Sequence, residues 1–431
     1  MSALLDSFAT AFDTLAARDA AGLRDSRQAA LDAALRDGIP HARVEAWKYT
    51  PLRSLERRAF KAADAAPAPF DAALLADIRA PRIVFVNGRF DAGHTDLSGL
   101  PVGVTLQALS QVLATGEPRD ANFLARKYER ADEIFARINA ALADEGCVLR
   151  VQSDVRVTSP VHMVFIGTAS EGDRAWHLRN LVELREGAEL TLVEHHLGHG
   201  PHNHLGNAVT HVHLGQGAIL RHARVQDESL GASLFGRTDA VMARDADYRR
   251  LDLELGAGLS RHELNVALHG QGAKLHANGV LLANGKRHLD TRLGIDHVGR
   301  DTACELIWRG LGAGRSKAAF HGGIVIREGA DGTAAELSNK NLLLSEGAEI
   351  DTQPVLEIHA DEVQAAHGAT VGQLDQTALF YLRTRGVPAD QARALLTAAF
   401  CRETLRVFDD AALRDALTAR LDSALTRLEI A

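Results

Sequence analysis

A single histidine near the end of the chain, His367, combines a metal-binding side chain with unusually small neighbours. It stands between Ala365-Ala366 and Gly368-Ala369, which leave its ring little local competition for space. A neutral imidazole is a suitable ligand for iron. The alternative is a histidine that hydrogen-bonds a backbone carbonyl at a strand end, and the residues taken alone favour that alternative.

A second concentration of histidine lies in the middle of the chain. Its members are His195, His196, His199, His202, His204, His211 and His213. Residues two apart share one face of a strand, so His202 with His204, and His211 with His213, would form pairs able to chelate Zn or Ni. Glu194 is the one nearby carboxylate, and no cysteine is close. We therefore favour a solvated loop and coil face over an evolved metal site.

Three aspartates and a histidine resemble the carboxylate clusters of β-helix enzymes that cleave polysaccharides. They are Asp290, Asp296, His297 and Asp301. Paired carboxylates carry out acid–base catalysis in such sites. However, aromatic residues, which stack on sugars, make up only 5% of the chain. Aspartates at coil corners are the favoured interpretation, while a β-helix carbohydrate-active enzyme and a purely structural β-helix stay open as alternative functions.

A glycine-rich stretch over residues 310–317 has the composition of a phosphate-binding loop. Its order of residues fits neither G-x-x-x-x-G-K-[ST] nor G-x-G-x-x-G, the two patterns whose backbone amides surround nucleotide phosphates. A G-x-S-x-G nucleophile motif is also missing. We expect this chain to bind no nucleotide and to be no enzyme.

Cysteine usage and charge indicate the compartment. Cys147, Cys304 and Cys401 are far apart and form no CxxC pair, which is typical of a reducing environment. Cys304, in an apolar run, is predicted to be a small core residue. The first residues lack the basic region of a signal peptide, and no apolar run reaches the length of a membrane span. A net charge of -8 with interleaved basic residues argues against nucleic acid as the main partner, and the lack of a long apolar run argues against a membrane. The cytoplasm is the expected location.

Glycine and histidine divide the chain into three parts. Residues 151–370 hold 27 of the 37 glycines and 18 of the 20 histidines, a glycine density that breaks helices and favours repeated turns. A Gly-Ala corner followed by alternating apolar residues recurs there, at Gly187, Gly217, Gly272, Gly329 and Gly347. Short strands with compact corners are typical of stacked coils, so a parallel β-helix is predicted over 146–370. The repeat is irregular, and on this pattern alone other all-β folds stay open as alternatives.

The flanks show helical periodicity instead. Apolar residues recur with the helical period at Leu4, Phe8, Phe12 and Leu15, and again from Tyr128 to Leu142. After Pro388, Ala392 to Phe400 form one apolar face, and leucines from Leu413 to Leu428 form another. These patterns predict an N-terminal helical domain over 1–145 and a C-terminal helical domain over 371–431.

Three segments resemble the SufB/SufD family, the scaffold proteins of the SUF iron–sulfur cluster assembly system. The strongest is 338–388, which begins SNKNLLLSEGAEIDTQPVLEI and contains Ala366-His367-Gly368-Ala369-Thr370-Val371-Gly372. The others are Glu45-Ala46-Trp47-Lys48-Tyr49-Thr50 and the segment 135–167. The Trp-Lys-Tyr-Thr element, the length and the signature histidine favour the SufD branch of the family.

The resemblance implies a fold and two partners. The fold is mainly β, a right-handed parallel β-helix between helical segments. One partner is SufB, joined through the β-helix ends, and a homodimer is allowed when the chain is isolated. The other is the ATPase SufC, bound by the C-terminal helices. The residues expected at the SufC contact are Leu379, Tyr381, Ala392, Leu395, Leu396 and Phe400.

The resemblance also reverses the interpretation of His367. In the family, the histidine of this motif faces a cysteine of SufB, and the pair is the proposed site of nascent cluster assembly. We therefore expect His367 to contact a transient Fe–S cluster or iron at the SufB interface. Many relatives carry a cysteine two residues before the histidine, where this chain has Ala365. The chain alone cannot supply the usual thiolate ligands of a cluster.

Overall fold

The computed structural model describes residues 2–115 and 118–428, and its centre is a β-solenoid of about eight turns. The predicted mainly β fold between helical segments is confirmed. The helices are α1 (Ala3–Asp13), α2 (Arg24–Asp37), α3 (Leu109–Thr115), α4 (Ile134–Leu142), α5 (Gln376–Thr384), α6 (Ala389–Arg402) and α7 (Ala411–Leu425). Short 3-10 helices cover Ala20–Gly22, Glu45–Trp47, Ala72–Leu75, Pro118–Ala125 and Glu403–Val407.

Each coil of the solenoid contributes one strand to each of two parallel sheets. The strands before the coils are β1 (Lys61–Ala62), β2 (Arg82–Val86), β3 (Arg89–Phe90) and β4 (Val104–Ala108). Those of the first four coils are β5 (Cys147–Val151), β6 (Val161–Thr168), β7 (Arg174–Leu184), β8 (Glu189–His199), β9 (Leu205–Leu214), β10 (Ile219–Asp227), β11 (Ser233–Met242) and β12 (Asp247–Glu254). Those of the last four are β13 (Leu259–Leu268), β14 (Lys274–Ala283), β15 (His288–His297), β16 (Ala303–Gly312), β17 (Lys317–Ile326), β18 (Ala334–Leu343), β19 (Glu349–Ile358) and β20 (Gln364–Gly372).

Strand order follows directly from the winding. Among the described residues, sheet A runs β19-β17-β15-β13-β11-β9-β7-β5-β4, and sheet B runs β20-β18-β16-β14-β12-β10-β8-β6-β2-β3. Coil length varies: Phe235 pairs with Arg261, 26 residues later, whereas Ala318 pairs with Ile350, 32 residues later. This variation explains why the repeat is weak in the sequence.

The Gly-Ala corners have the geometry that the sequence predicts. Gly187, Gly217, Gly272 and Gly329 have positive φ, a conformation that is cheap for glycine. The alanine after each of them is buried in the solenoid, which keeps the corner narrow. Gly347 is absent from the described positive-φ positions, so the last of the five corners turns differently.

The N-terminal segment contains the predicted helices and, in addition, the four strands β1 to β4. Strand β2 pairs with β6, β3 folds back on β2, and β4 pairs antiparallel with β5. These strands close the first end of the solenoid. Helices α1, α2 and α4 then pack with Trp47 on the outer face of sheet A, against Ala175, Leu205 and Phe235. The domain boundaries at 145 and 370 stay predictions.

The C-terminal segment has two unequal parts. Buried leucines of α7 and Phe408 pack on the outer face of sheet B, in one apolar cluster with strand residues such as Val225 and Leu253. An ion pair between Arg427 and Asp227 (2.8 Å) joins this part to the solenoid. The α5–α6 hairpin packs mainly on itself and on the following 3-10 helix.

Candidate functional site

The last coil, β19 and β20, leaves the second end of the solenoid open. These strands pair on one side only, with β17 and β18 respectively. Ile350, Leu356 and Ala365 are only partly buried against the solenoid core, and Ile358 and Val371 are 45% and 43% exposed. The last coil therefore presents unpaired backbone groups and an apolar cross-section, both of which favour pairing with another chain.

His367 lies in the edge strand of this coil. It is in register with Leu337 of β18, a residue of the solenoid core, so its ring is directed toward the lumen above that core. The side chain is nevertheless exposed, because no further coil covers it. Ala365 and Ala369 share its face of the strand and leave space beside the ring. A histidine locked inside a monomer core would have excluded a role at an interface.

Of the residues predicted at the SufC contact, the structure exposes some and buries others. Tyr381 and Leu395 are 56% and 53% exposed. Leu379 and Ala392 are buried, so they stabilise the hairpin and have little surface for a partner. Leu396 and Phe400 are half-buried.

Phe380, which the sequence reasoning left out of that set, is the most exposed large apolar residue of the hairpin, at 68%. Its position next to Tyr381, a residue of the predicted set, was the signal in the sequence that could have identified it. We call the three exposed apolar residues Phe380, Tyr381 and Leu395 the hairpin apolar face.

The histidine-rich segment is mostly not solvated, and that prediction was wrong. Among the seven histidines, His195, His196, His202, His204 and His211 are buried. The segment falls in the middle coils, where one strand face lines the lumen and the other lies beneath helices and loops. For example, Nε2 of His204 hydrogen-bonds the carbonyl of Thr168 at 2.9 Å. Within the described residues, no three His, Cys, Asp or Glu side chains are arranged to hold a metal ion.

The lumen of the middle coils contains a buried polar network. His196 and His222 lie 2.6 and 3.2 Å from the Glu194 carboxylate, and Arg250 contacts His222 at 2.8 Å. Burial alone would raise the pKa of Glu194, but the two hydrogen bonds hold it well below its usual value. Burial, reinforced by Arg250, lowers the pKa of His222 to about 4. The network therefore couples a buried carboxylate to His222, whose imidazole is neutral near pH 7.

The aspartates considered as an alternative catalytic cluster are dispersed. Asp290 and Asp296 are six residues apart on β15, about 20 Å along a strand, whereas glycosidase pairs are within about 10 Å. Asp290 is buried and bonded to Thr50 and Arg261, at 2.6 and 2.7 Å. Asp301 has positive φ at a coil corner, as predicted. These positions do not favour polysaccharide cleavage.

The three cysteines are free and buried. Burial raises the pKa of Cys147, and it raises those of Cys304 and Cys401 to about 12. Sγ of Cys304 lies 3.2 Å from Nε2 of His297 inside the core, so the prediction of a small core residue is confirmed. A buried, neutral thiol is a poor metal ligand and a poor nucleophile.

Within residues 2–115 and 118–428, no helix has both the length and the hydropathy of a membrane-spanning segment.

Comparison with known families covers nearly the whole sequence. Residues 165–400 match the family described as "SUF system FeS cluster assembly, SufBD core domain", and residues 1–163 match the "SufBD protein N-terminal region". The chain belongs to the SufBD family. As a SufBD-family chain it is an Fe–S cluster assembly protein, and its solenoid and N-terminal segment correspond to the two family regions.

Relatives from three bacteria place this SufBD-family chain near SufD. It is 29% identical to iron–sulfur cluster assembly protein SufD of Escherichia coli, over 94% of this chain and 95% of the relative. It is 29% identical to a SufBD family protein of Synechocystis, over 89% and 87% of the two chains. SufD of Bacillus subtilis is 27% identical over 65% of this chain and 66% of its own length.

Proposed function

We propose that this chain is the SufD-type scaffold subunit of a SUF assembly complex, and that it pairs with SufB through the open end of its solenoid. The proposal rests on one observation above all: the last coil is unpaired, and the exposed ring of His367 stands within it. A second coil stacked there would pair the free strand edges and cover Ile358 and Val371. The site would then form between two chains.

In this arrangement His367 supplies one ligand to iron or to a nascent Fe–S cluster, which is the cargo of the complex. A neutral imidazole binds iron, and Ala365 and Ala369 leave room beside it. The buried thiols of this chain do not reach such a site, so the thiolate ligands come from SufB. The chain itself is a non-catalytic component in the cytoplasm, and its unpaired cysteines are typical of that compartment.

We further propose that the hairpin apolar face binds SufC. Apolar side chains on one helical surface are the usual means by which a helix enters a partner's groove. Only residues 373–375 separate the end of β20 from α5. Movement of SufC subunits on ATP binding would therefore reach the strand that carries His367 without a long flexible linker.

The decisive experiment replaces His367 in a co-expressed SufB–SufC–SufD complex. His367→Ala should leave complex assembly unchanged and reduce Fe–S cluster formation at least tenfold, roughly the loss expected when a metal site is disturbed. Cluster content is measured by anaerobic absorption spectroscopy and by SUF-dependent growth under iron limitation.

His359→Ala is the matched control, since His359 is also an exposed histidine of the last coil. Wild-type cluster content in His367→Ala would contradict the proposal and would favour a purely structural scaffold.

The SufC contact is tested at the surface of the hairpin. Tyr381→Glu combined with Leu395→Glu should abolish SufC capture in a pull-down, because each places a charge on the apolar face. Deleting 388–431 is less informative, since it also removes the α7 packing on sheet B. Leu230→Glu, on a loop residue that is 61% exposed, is the control. Retained SufC binding in the double variant would refute the assignment of this surface as the SufC contact.

A further inference from the structure

The open end of the solenoid carries charge of one sign. The last coil, residues 349–372, contains five acidic residues and no Lys or Arg. The preceding coil, residues 317–343, has three acidic and three basic residues. The strands at the closed end are balanced too, with two of each over 82–108. Of these three segments, the excess of negative charge lies in the coil that is paired on one side only.

Within the last coil the uncompensated charge is concentrated at one corner. Glu349 pairs with Lys317 at 2.6 Å, so the beginning of β19 is locally neutralised. Glu357, Asp361 and Glu362 are exposed at the corner that joins β19 to β20, and we call them the acidic corner. In the described parts of the chain, no Lys or Arg lies within ion-pair distance of any of the three. Glu357 lies 2.7 Å from His359, and Arg327, which is paired with Asp296, interacts with Glu357 electrostatically over a longer distance.

We propose that the acidic corner selects a partner coil with a basic rim and disfavours a second copy of this chain. This inference rests on the proposed function, in which the open end is the docking surface. The free strand edges and the apolar cross-section would accept either kind of partner, because backbone pairing and apolar burial do not depend on the partner's charge. Charge is the feature of this end that distinguishes one solenoid from another, and specificity often depends on such a repulsive element.

The physical basis is like-charge repulsion across a symmetric seam. When two copies pair through one surface, residue i of one copy meets residue j of the other and the reverse, so the two last coils, each with its acidic corner, lie on one seam. Repulsion between exposed charges is strong at low ionic strength and is screened within about 10 Å at 0.1 M salt. A partner with lysines and arginines along its rim gains attraction and faster association instead.

The two associations should therefore respond to salt in opposite directions. For the isolated chain, sedimentation velocity at about 20 mM and about 500 mM NaCl, ionic strengths that change the screening length severalfold, should show self-association at least tenfold tighter at high salt. Binding of the full chain to purified SufB, measured by interferometry under the same conditions, should be at least tenfold weaker at high salt.

A charge-neutral variant isolates the corner. Glu357→Gln with Asp361→Asn and Glu362→Gln should strengthen self-association at low salt to its high-salt value, and should weaken SufB binding about tenfold. The matched control, Asp13→Asn with Glu171→Gln and Glu186→Gln, makes the same charge change at exposed positions outside the last coil. It should leave both affinities within twofold of wild type.

The results separate this inference from the proposed function. Val371→Asp should abolish SufB binding if the open end is the docking surface at all. If it does, and the neutral variant still has wild-type affinities and salt responses, the acidic corner has no selective role and the inference is overturned. If Val371→Asp binds SufB normally, the docking surface itself is wrong.

Discussion

The two ends of the solenoid differ in how their strand edges and apolar core are covered. At the closed end, β2 lies between β6 and β3, and Ile83, Val84, Phe85 and Val86 are all at most 1% exposed. At the open end, β20 follows β18 with nothing beyond it, and every residue from Gln364 to Gly372 is at least partly exposed. The unpaired backbone groups at each end of a coil stack must be covered by other segments of the chain or paired with another chain. The contrast supports the proposal that another chain covers the second end.

Introducing one charge at each end should give the largest difference. Phe85→Asp buries a carboxylate in the closed end and should lower the free energy of unfolding by about 4 kcal/mol or more. Val371→Asp, at a position 43% exposed, should change it by less than about 1 kcal/mol. Denaturant unfolding followed by circular dichroism measures both. Equal losses at the two ends would remove the distinction between a closed and an open end.

Acid should act on the middle coils and spare the open end. The pKa of His222 is about 4 in the fold, below the value of 6.5 that it regains on unfolding. The unfolded chain therefore binds more protons between those values, and the free energy of unfolding falls as pH drops from about 6.5 to 4. This histidine alone accounts for on the order of 3 kcal/mol.

Unfolding curves at pH 7 and pH 4.5 test the acid effect, with His222→Gln as the variant that should flatten the dependence. Hydrogen exchange should show the loss of protection in β8, β10 and β12. An identical pH dependence in wild type and His222→Gln would show that other groups control acid stability.

The smallest expected effect lies just beyond the open end. The Asp375 side chain accepts hydrogen bonds from the backbone amides of Thr377 and Ala378 and so caps α5. Asp375→Ala should destabilise this helix by about 1 kcal/mol. Faster amide exchange should appear in α5 while β18 and the closed end stay unchanged. Asp375→Asn, which can still cap, serves as the control, and faster exchange throughout the solenoid would contradict a local role.

Much of the fold was predictable because its signals are local. Glycine at corners such as Gly187 and Gly272 reports a backbone requirement, and Leu4, Phe8 and Phe12 report a helical period; both are confirmed. Strands β2 and β4 were missed within the predicted helical domain, because their partners β6 and β5 lie 39 to 80 residues away in the sequence. Their role in closing one end is visible only in three dimensions.

In the candidate site, too, local properties were predictable and burial by distant segments was not. The small residues around His367 predicted an accessible ring, and the ring is exposed. The burial of His195 and His196 was not predictable from their spacing, because period two describes a strand without telling which surface another segment covers. The same applies to Ala392 and Leu395, which share an apolar face in the sequence but differ in exposure once α6 packs.

The three buried cysteines have a practical consequence for experiments on the complex. With the pKa values of Cys304 and Cys401 near 12 and that of Cys147 also raised, alkylating reagents should leave the native chain unmodified. Any maleimide adduct or persulfide tag that forms on the assembled complex can then be assigned to another subunit by intact-mass spectrometry. Because this chain has no reactive thiol, it should contribute no signal when sulfur transfer to other subunits is measured.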